Sequence, residues 1–174
     1  MTTATKKTDL ITFKGEPKTL VGEQMKPGEP APDFTVTGTD LAPVKLSDYK
    51  GKVVILSVVP SVDTSVCSIQ TKTFNEEVGE LSDDVVLLTV SMDLPFALKR
   101  FCGAEGVDNI VAASDYKDKS FACASGLLIE ELGLLARAVY VIDPQGKVTY
   151  GEIVSEVTDE PDYDKAIAAA KAAG

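Results

Sequence analysis

Two stretches of the chain, Lys52–Val59 and Val85–Met92, are apolar at most positions and rich in β-branched residues. Such runs mark strands covered on both faces, because a strand with one wet face alternates polar and apolar residues. Between them Val66, Phe74, Val78 and Leu81 recur at helical spacing, which predicts a helix joining the two strands. Leu94–Gly103 predicts a second helix with Pro95 near its first position, where a missing N–H is harmless. Asn109–Ser114 reads as a third strand and Tyr116–Ser125 as a helix. Ala138–Asp143 and Lys147–Val154 then predict a hairpin around Pro144-Gln145-Gly146. Tyr163–Ala173 is helical by composition. Strand and helix alternate, followed by a hairpin and a last helix. That order predicts an α/β fold, a mixed central sheet flanked by helices.

Upstream lies an appended hairpin over residues 8–21, in which Leu10–Phe13 and Lys18–Val21 flank the turn-like Lys14-Gly15-Glu16-Pro17. The Pro/Gly-rich K-P-G-E-P-A-P-D at 26–33 marks where the main domain begins. The expected division is an N-terminal extension over residues 1–24 and one domain over 25–174. A chain of 174 residues is in the single-domain range and buries a sizeable core unaided.

Composition then removes whole classes of chemistry. The chain has no histidine, which excludes Ser-His-Asp and Cys-His pairs, an imidazole base and His-ligated zinc or haem. Seventeen Lys+Arg against twenty-seven Asp+Glu give a net charge of −10, and no basic stripe offsets it, so nucleic acid is not an expected partner. Arg100 and Arg137 are the only arginines. No apolar stretch approaches the roughly 20 residues of a spanning helix, and the N-terminus lacks the apolar core of a signal peptide. The expected location is therefore the cytosol, away from membranes. Three cysteines without a signal peptide argue against a disulfide scaffold. In a reducing compartment they are buried bystanders or redox-active groups. The acidic pairs Asp83-Asp84 and Asp159-Glu160 read as solvated loop charges, not as metal ligands.

Cys67 has the most informative surroundings, Pro60-Ser61-Val62-Asp63-Thr64-Ser65-Val66-Cys67, where a buried strand gives way to a helix. With Thr64 as N-cap, its hydroxyl is expected to accept the N–H of Cys67, the third helical residue. The thiol then lies in the first turn, where unpaired N–H groups and the helix dipole favour negative charge. A thirtyfold gain in thiolate fraction is worth only about 2 kcal/mol, whereas enzymes supply ~8 kcal/mol or more. Groups that stabilise the transition state are therefore needed as well. The ordinary alternative is a packing role, since free cysteine is among the most buried residue types.

P-S-V-D-T-S-V-C resembles the P-x-x-x-[ST]-x-x-C signature of the peroxiredoxins. A-P-D-F at 31–34 and L-S-D-Y-K-G-K at 46–52 look like the opening strands of that family. D-L-P-F-A at 93–97, R-F-C-G-A-E-G at 100–106, A-R-A-V at 136–139 and E-P-D-Y at 160–163 extend the likeness. Together with the hairpin they resemble the bacterial thiol peroxidase subfamily, the atypical two-cysteine peroxiredoxins, over about residues 8–173. The resemblance implies a thioredoxin-like peroxiredoxin fold and a thiol-dependent peroxidase acting on hydrogen peroxide and organic hydroperoxides. It needs no metal, haem or flavin cofactor.

In that reading Cys67 is the peroxidatic cysteine, which attacks the O–O bond and becomes a sulfenic acid. Pro60 shields the thiolate from water, Thr64 hydrogen-bonds thiolate and peroxide, and Arg137 orients the peroxide with a planar fork that never deprotonates. Cys102 is the resolving cysteine and forms an intramolecular Cys67–Cys102 disulfide, which thioredoxin reduces. A homodimer is implied likewise. Bridging two predicted helices requires Cα atoms within about 7 Å, so the first turn around Cys67 is expected to unwind and the Leu94–Gly103 helix to shift.

Other readings stand beside these. Arg137 has the ordinary alternative of anchoring a loop to a carboxylate. Arg100 either tunes Cys102 and the active-site charge or is a solvated helix arginine. Cys123, among small apolar neighbours in F-A-C-A-S, reads as core. A peroxide-sensing relay would use the same two cysteines, whereas a thioredoxin-type oxidoreductase lacks its C-x-x-C, since Cys67 and Cys102 are 35 positions apart.

Overall fold

A computed structural model describes residues 5–174. Its frame is a seven-stranded mixed sheet with a four-stranded sheet on one face. Strands β5 (Val53–Val58), β6 (Val85–Ser91) and β7 (Val111–Ser114) run parallel at its middle. The crossovers between them are α1 (Ser65–Gly79) and α2 (Pro95–Glu105). Beyond β5 the antiparallel hairpin β10 (Ala138–Ile142) and β11 (Val148–Ile153) completes one edge. Beyond β7 the antiparallel pair β3 (Thr35–Gly38) and β4 (Pro43–Lys45) completes the other.

Every residue of β5 is buried, because alternate side chains enter different cores. Val53 and Ile55, with Leu87, Val139 and Val141, meet Phe74 and Val78 of α1 and Ala166, Ile167 and Ala170 of α4 (Tyr163–Ala173). Val54, Leu56 and Val58, with Leu88, Val90 and Tyr140, meet α3 (Ser120–Ser125) through Phe121 and Ala122. The same layer receives Ile11 of β1 (Lys6–Phe13) and Leu20 of β2 (Glu16–Val21). Both parallel crossovers step in one direction along the sheet, so their constant hand puts α1 and α2 on one face.

The predicted mixed sheet, the two long strands, α1, the Ala138 hairpin and α4 are all present. The N-terminal hairpin turns on two residues, Lys14 and Gly15, with φ of 52° and 82°, tighter than the four-residue turn expected. It also joins the four-stranded sheet, since β2 pairs with β8 (Leu128–Ile129), which pairs with β9 (Leu134–Leu135).

Three expectations need correction. The segments 31–34 and 46–52 flank β3 and β4 and are not themselves strands; Leu46–Tyr49 is a 3₁₀ turn. Their polar residues stitch the two ends together, as the Asp33 carboxylate accepts from the amides of Phe34 and Ser47 and from the Ser47 hydroxyl. The helix expected from Tyr116 begins only at Ser120, because Lys119 adopts a left-handed conformation. The Asp115 carboxylate instead receives the free amides of Phe121 and Ala122. Finally, α2 runs on to Glu105, where Gly106 caps it with a φ of 65°.

Candidate active site

The site forms where the adjacent parallel strands β5 and β6 end, the usual place for ligands in open α/β sheets. After β6, Asp93 reaches across to the loop leaving β5. Its carboxylate accepts from the Ser61 hydroxyl at 2.7 Å, the Val62 amide at 2.8 Å and the Ser91 hydroxyl at 2.8 Å. These bonds fix the path from Pro60 into α1. Thr64 is the N-cap, with extended backbone and a carbonyl that accepts the Ser68 amide at 2.9 Å.

The cap is a backbone one, however. The Thr64 hydroxyl donates to the Ser61 carbonyl at 3.0 Å and makes no bond to the Cys67 amide, contrary to expectation. A tight turn explains this, since the Thr64 amide donates to the same Ser61 carbonyl. The first-turn amides are left without side-chain acceptors, and their positive end faces the Cys67 region.

Cys67 is fully buried, with 0% of its surface exposed. Arg137 reaches it from the residue before β10. Because Ala138 pairs with Val58, Arg137 lies level with the exit of β5. Its Nη2 donates to Cys67 Sγ at 3.1 Å, Nη1 to Gln70 Oε1 at 2.8 Å and Nε to the Val157 carbonyl at 2.7 Å. Gln70, on the next turn of α1, donates in turn to the Ser57 hydroxyl at 2.8 Å.

Arg137 is only 2% exposed, and no carboxylate pairs with it among the described residues. A buried cation without a counter-charge costs several kcal/mol. Negative charge on Cys67 sulfur is what this arrangement accommodates. The same fork that holds sulfur can hold the oxygens of a bound reactant. Pro60, Thr64, Ser65, Val66 and Arg137 line a cavity of about 340 Å³, together with Val157, Thr158 and the hairpin residues Phe13 and Lys14. The structure therefore brings Pro60, Thr64, Cys67 and Arg137 together: a buried sulfur, a guanidinium on it, and an opening beside it.

The redoxin family profile matches residues 26–167, most of the chain. The chain belongs to the redoxin family. A thiol peroxidase of Halalkalibacterium halodurans is 58% identical over 94% of this chain and 98% of its own. A thiol peroxidase of Bacillus subtilis is 56% identical, over 93% of this chain and 96% of its own. A peroxiredoxin-like protein from Aquifex aeolicus superposes with a TM-score of 0.89 at 39% identity, covering 99% of this chain and all of that one. The thioredoxin-like fold of the peroxiredoxins and the kinship with thiol peroxidases follow.

Other cysteines and charges fall differently from one another. Cys102, on α2, is half-buried and free, and burial pushes its thiol above the ordinary range. It packs against the same apolar cluster, Val59, Val62, Leu98 and Phe101 among others, that encloses Cys67. Cys123 is exposed, which corrects the core reading: the short α3 turns Phe121, Ala122 and Ser125 inward and leaves Cys123 on its wet face. Arg100 is a surface residue, its side chain 71% exposed, with Asp63 3.6 Å away.

Gln70, Ser57 and Asp93 are functional neighbours that sequence reasoning missed. A signal existed for two of them. Gln70 interrupts the buried stripe of Cys67, Phe74 and Val78, and Ser57 interrupts an otherwise apolar strand.

Proposed function

We propose that the chain is a thiol-dependent peroxidase that reduces hydrogen peroxide and organic hydroperoxides, with Cys67 as the attacking sulfur. The hydrogen bond from Arg137 to Cys67 Sγ, buried beside a cavity, carries this reading. The thiolate displaces alkoxide from the O–O bond, leaving a sulfenic acid, and the alkoxide takes a proton from water. With no histidine in the chain, the developing negative charge meets Arg137 and the first-turn amides. Pro60 excludes water, and Thr64 serves the bound peroxide.

Cys102 then condenses with the sulfenic acid, giving the Cys67–Cys102 disulfide and water. A thioredoxin dithiol reduces that disulfide and is itself oxidised. Because Cys67 is enclosed and Cys102 half-buried, the first turn of α1 and the helix α2 must shift for the sulfurs to meet. A cycle that consumes thioredoxin belongs in the reducing cytosol. A second copy of the chain, forming a homodimer, would cover the exposed apolar side chains Ile69, Leu94 and Phe96.

The test is peroxide consumption with thioredoxin and its reductase. Cys67→Ser abolishes it. Cys102→Ser stops coupled turnover yet still yields a sulfenic acid that dimedone traps, while Cys123→Ser keeps turning over. Full activity in Cys67→Ser ends the proposal. Stoichiometric oxidation of the wild type without sustained consumption would favour the sensing relay.

A further inference from the structure

Part of the cavity wall comes from a segment remote in sequence from Cys67. Phe13 and Lys14 stand at the tip of the N-terminal hairpin and line the cavity together with Val157 and Thr158, whose segment runs beside Thr12. The tip is an awkward piece of chain: Lys14 has a left-handed φ of 52°, a conformation that non-glycine residues adopt only under constraint. Something must hold it.

That something is Glu156. Its carboxylate accepts from the amides of Lys14 at 3.2 Å and Gly15 at 2.7 Å, from the Thr12 hydroxyl at 3.1 Å, and from the amide and hydroxyl of Thr158 at 2.9 and 2.8 Å. Its neighbour Val157 is the residue whose carbonyl anchors Arg137 Nε. Val157 does not depend on the carboxylate for its place, since its amide donates to the Thr12 carbonyl at 2.9 Å and the Thr12 amide donates to Ser155 at 2.7 Å. Main-chain bonds thus hold the arginine's anchor, and the Glu156 side chain holds the hairpin tip.

We propose that Glu156 is a positioning residue that latches the Phe13–Lys14 tip over the cavity, and that this latch selects organic hydroperoxides over hydrogen peroxide. The proposal rests on the peroxidase reading above. Hydrogen peroxide is small enough to be held by the groups beside the sulfur alone, Arg137 and Thr64. The substituent of an organic hydroperoxide extends from its second oxygen into the cavity, where Phe13, Val66 and Val157 offer apolar contact. Loosening the tip removes part of that wall and leaves the sulfur, Arg137 and its anchor untouched.

The experiment compares kcat/KM for cumene hydroperoxide and hydrogen peroxide in wild type, Glu156→Ala, Glu156→Gln, Phe13→Ala and the Phe13→Ala/Glu156→Ala double variant. In Glu156→Ala the ratio of cumene hydroperoxide to hydrogen peroxide falls about fivefold, equivalent to about 1 kcal/mol, through KM more than kcat. Phe13→Ala gives a similar fall, and the double variant falls no further, because Glu156 acts through the tip. Glu156→Gln keeps one acceptor oxygen and shifts the ratio less, in the same direction; with Phe13→Ala it carries the test should Glu156→Ala not fold. An unchanged ratio, or an equal loss for both peroxides, overturns the latch. A wild type that consumes neither peroxide overturns the peroxidase reading itself.

Discussion

Arg137 directs three N–H groups at three fixed acceptors on two different segments: sulfur and Gln70 on α1, and the Val157 carbonyl in the chain after β11. Only a planar fork can satisfy that geometry, and a lysine ammonium at the end of a flexible stem cannot. Arg137→Lys is expected to slow oxidation of Cys67 by peroxide about 10²–10³-fold, the range seen when one preorganised charge-stabilising donor is lost. Rapid-mixing measurement of sulfenic acid formation checks this, and a wild-type rate would discard the role given to the fork. Gln70→Leu separates stability from chemistry. It leaves a guanidinium N–H and the Ser57 hydroxyl without their buried partner, at about 1–3 kcal/mol in urea unfolding, yet keeps the bond to sulfur. Its oxidation rate should therefore drop less than that of Arg137→Lys. Burial raises the pKa of Cys102, so in this packed arrangement that thiol stays protonated at neutral pH.

Among the elements, α3 and the segment leaving the hairpin show how tightly the second sheet is seated. Gly126 ends α3 with a φ of +68°, and a Cβ there would meet the Glu23 carbonyl carbon and oxygen at 2.6 Å and the Gln24 amide at 2.8 Å. Gly126→Ala combines left-handed strain with a backbone collision, and a loss of about 2–4 kcal/mol is expected in urea unfolding. Gly133, with a φ of +66° and open space around its missing Cβ, is the control: Gly133→Ala should lose only about 1 kcal/mol. Such seating is invisible in sequence, because it depends on Glu23 and Gly126 meeting across the fold. The central strands were legible because burial on both faces writes an unbroken apolar run, as in Val53–Val58. Strands β8 and β9 were not, since two residues each cannot display a period. In the site, Pro60, Thr64 and Cys67 were readable as one short motif, and Arg137 through its rarity and the resemblance. Asp93 and Glu156 were not, because they act through bonds to backbone groups supplied by distant segments.

Across the whole molecule, the N-terminal hairpin belongs to the core through Ile11 and Leu20 and to the site through Phe13 and Lys14. Two carboxylates outside it hold it down. Glu131 accepts the Thr19 amide and hydroxyl, and Glu156 accepts the amides of Lys14 and Gly15. Bonds from Thr158 and Gly15, partly opposed by desolvation, bring the Glu156 carboxyl from an ordinary 4.5 to about 2, and Thr19 lowers Glu131 in the same sense. A carboxyl whose folded value is depressed binds its proton more readily in the unfolded chain. Its stabilisation is therefore complete above 4.5 and fades as the pH falls toward 2. Glu156→Gln removes that ionisation. The thermal midpoint of the wild type should exceed that of Glu156→Gln at neutral pH, and the gap should shrink between pH 4.5 and about 2. Hydrogen exchange should place the loosening at the hairpin, with the amides around Ile11 losing protection before those of β5. A gap that stays constant into acid would mean that the Glu156 charge does not fasten the hairpin. The cavity wall would then owe its position to the main-chain bonds of Thr12, the Glu131 bonds to Thr19 and the apolar packing of Ile11 and Leu20.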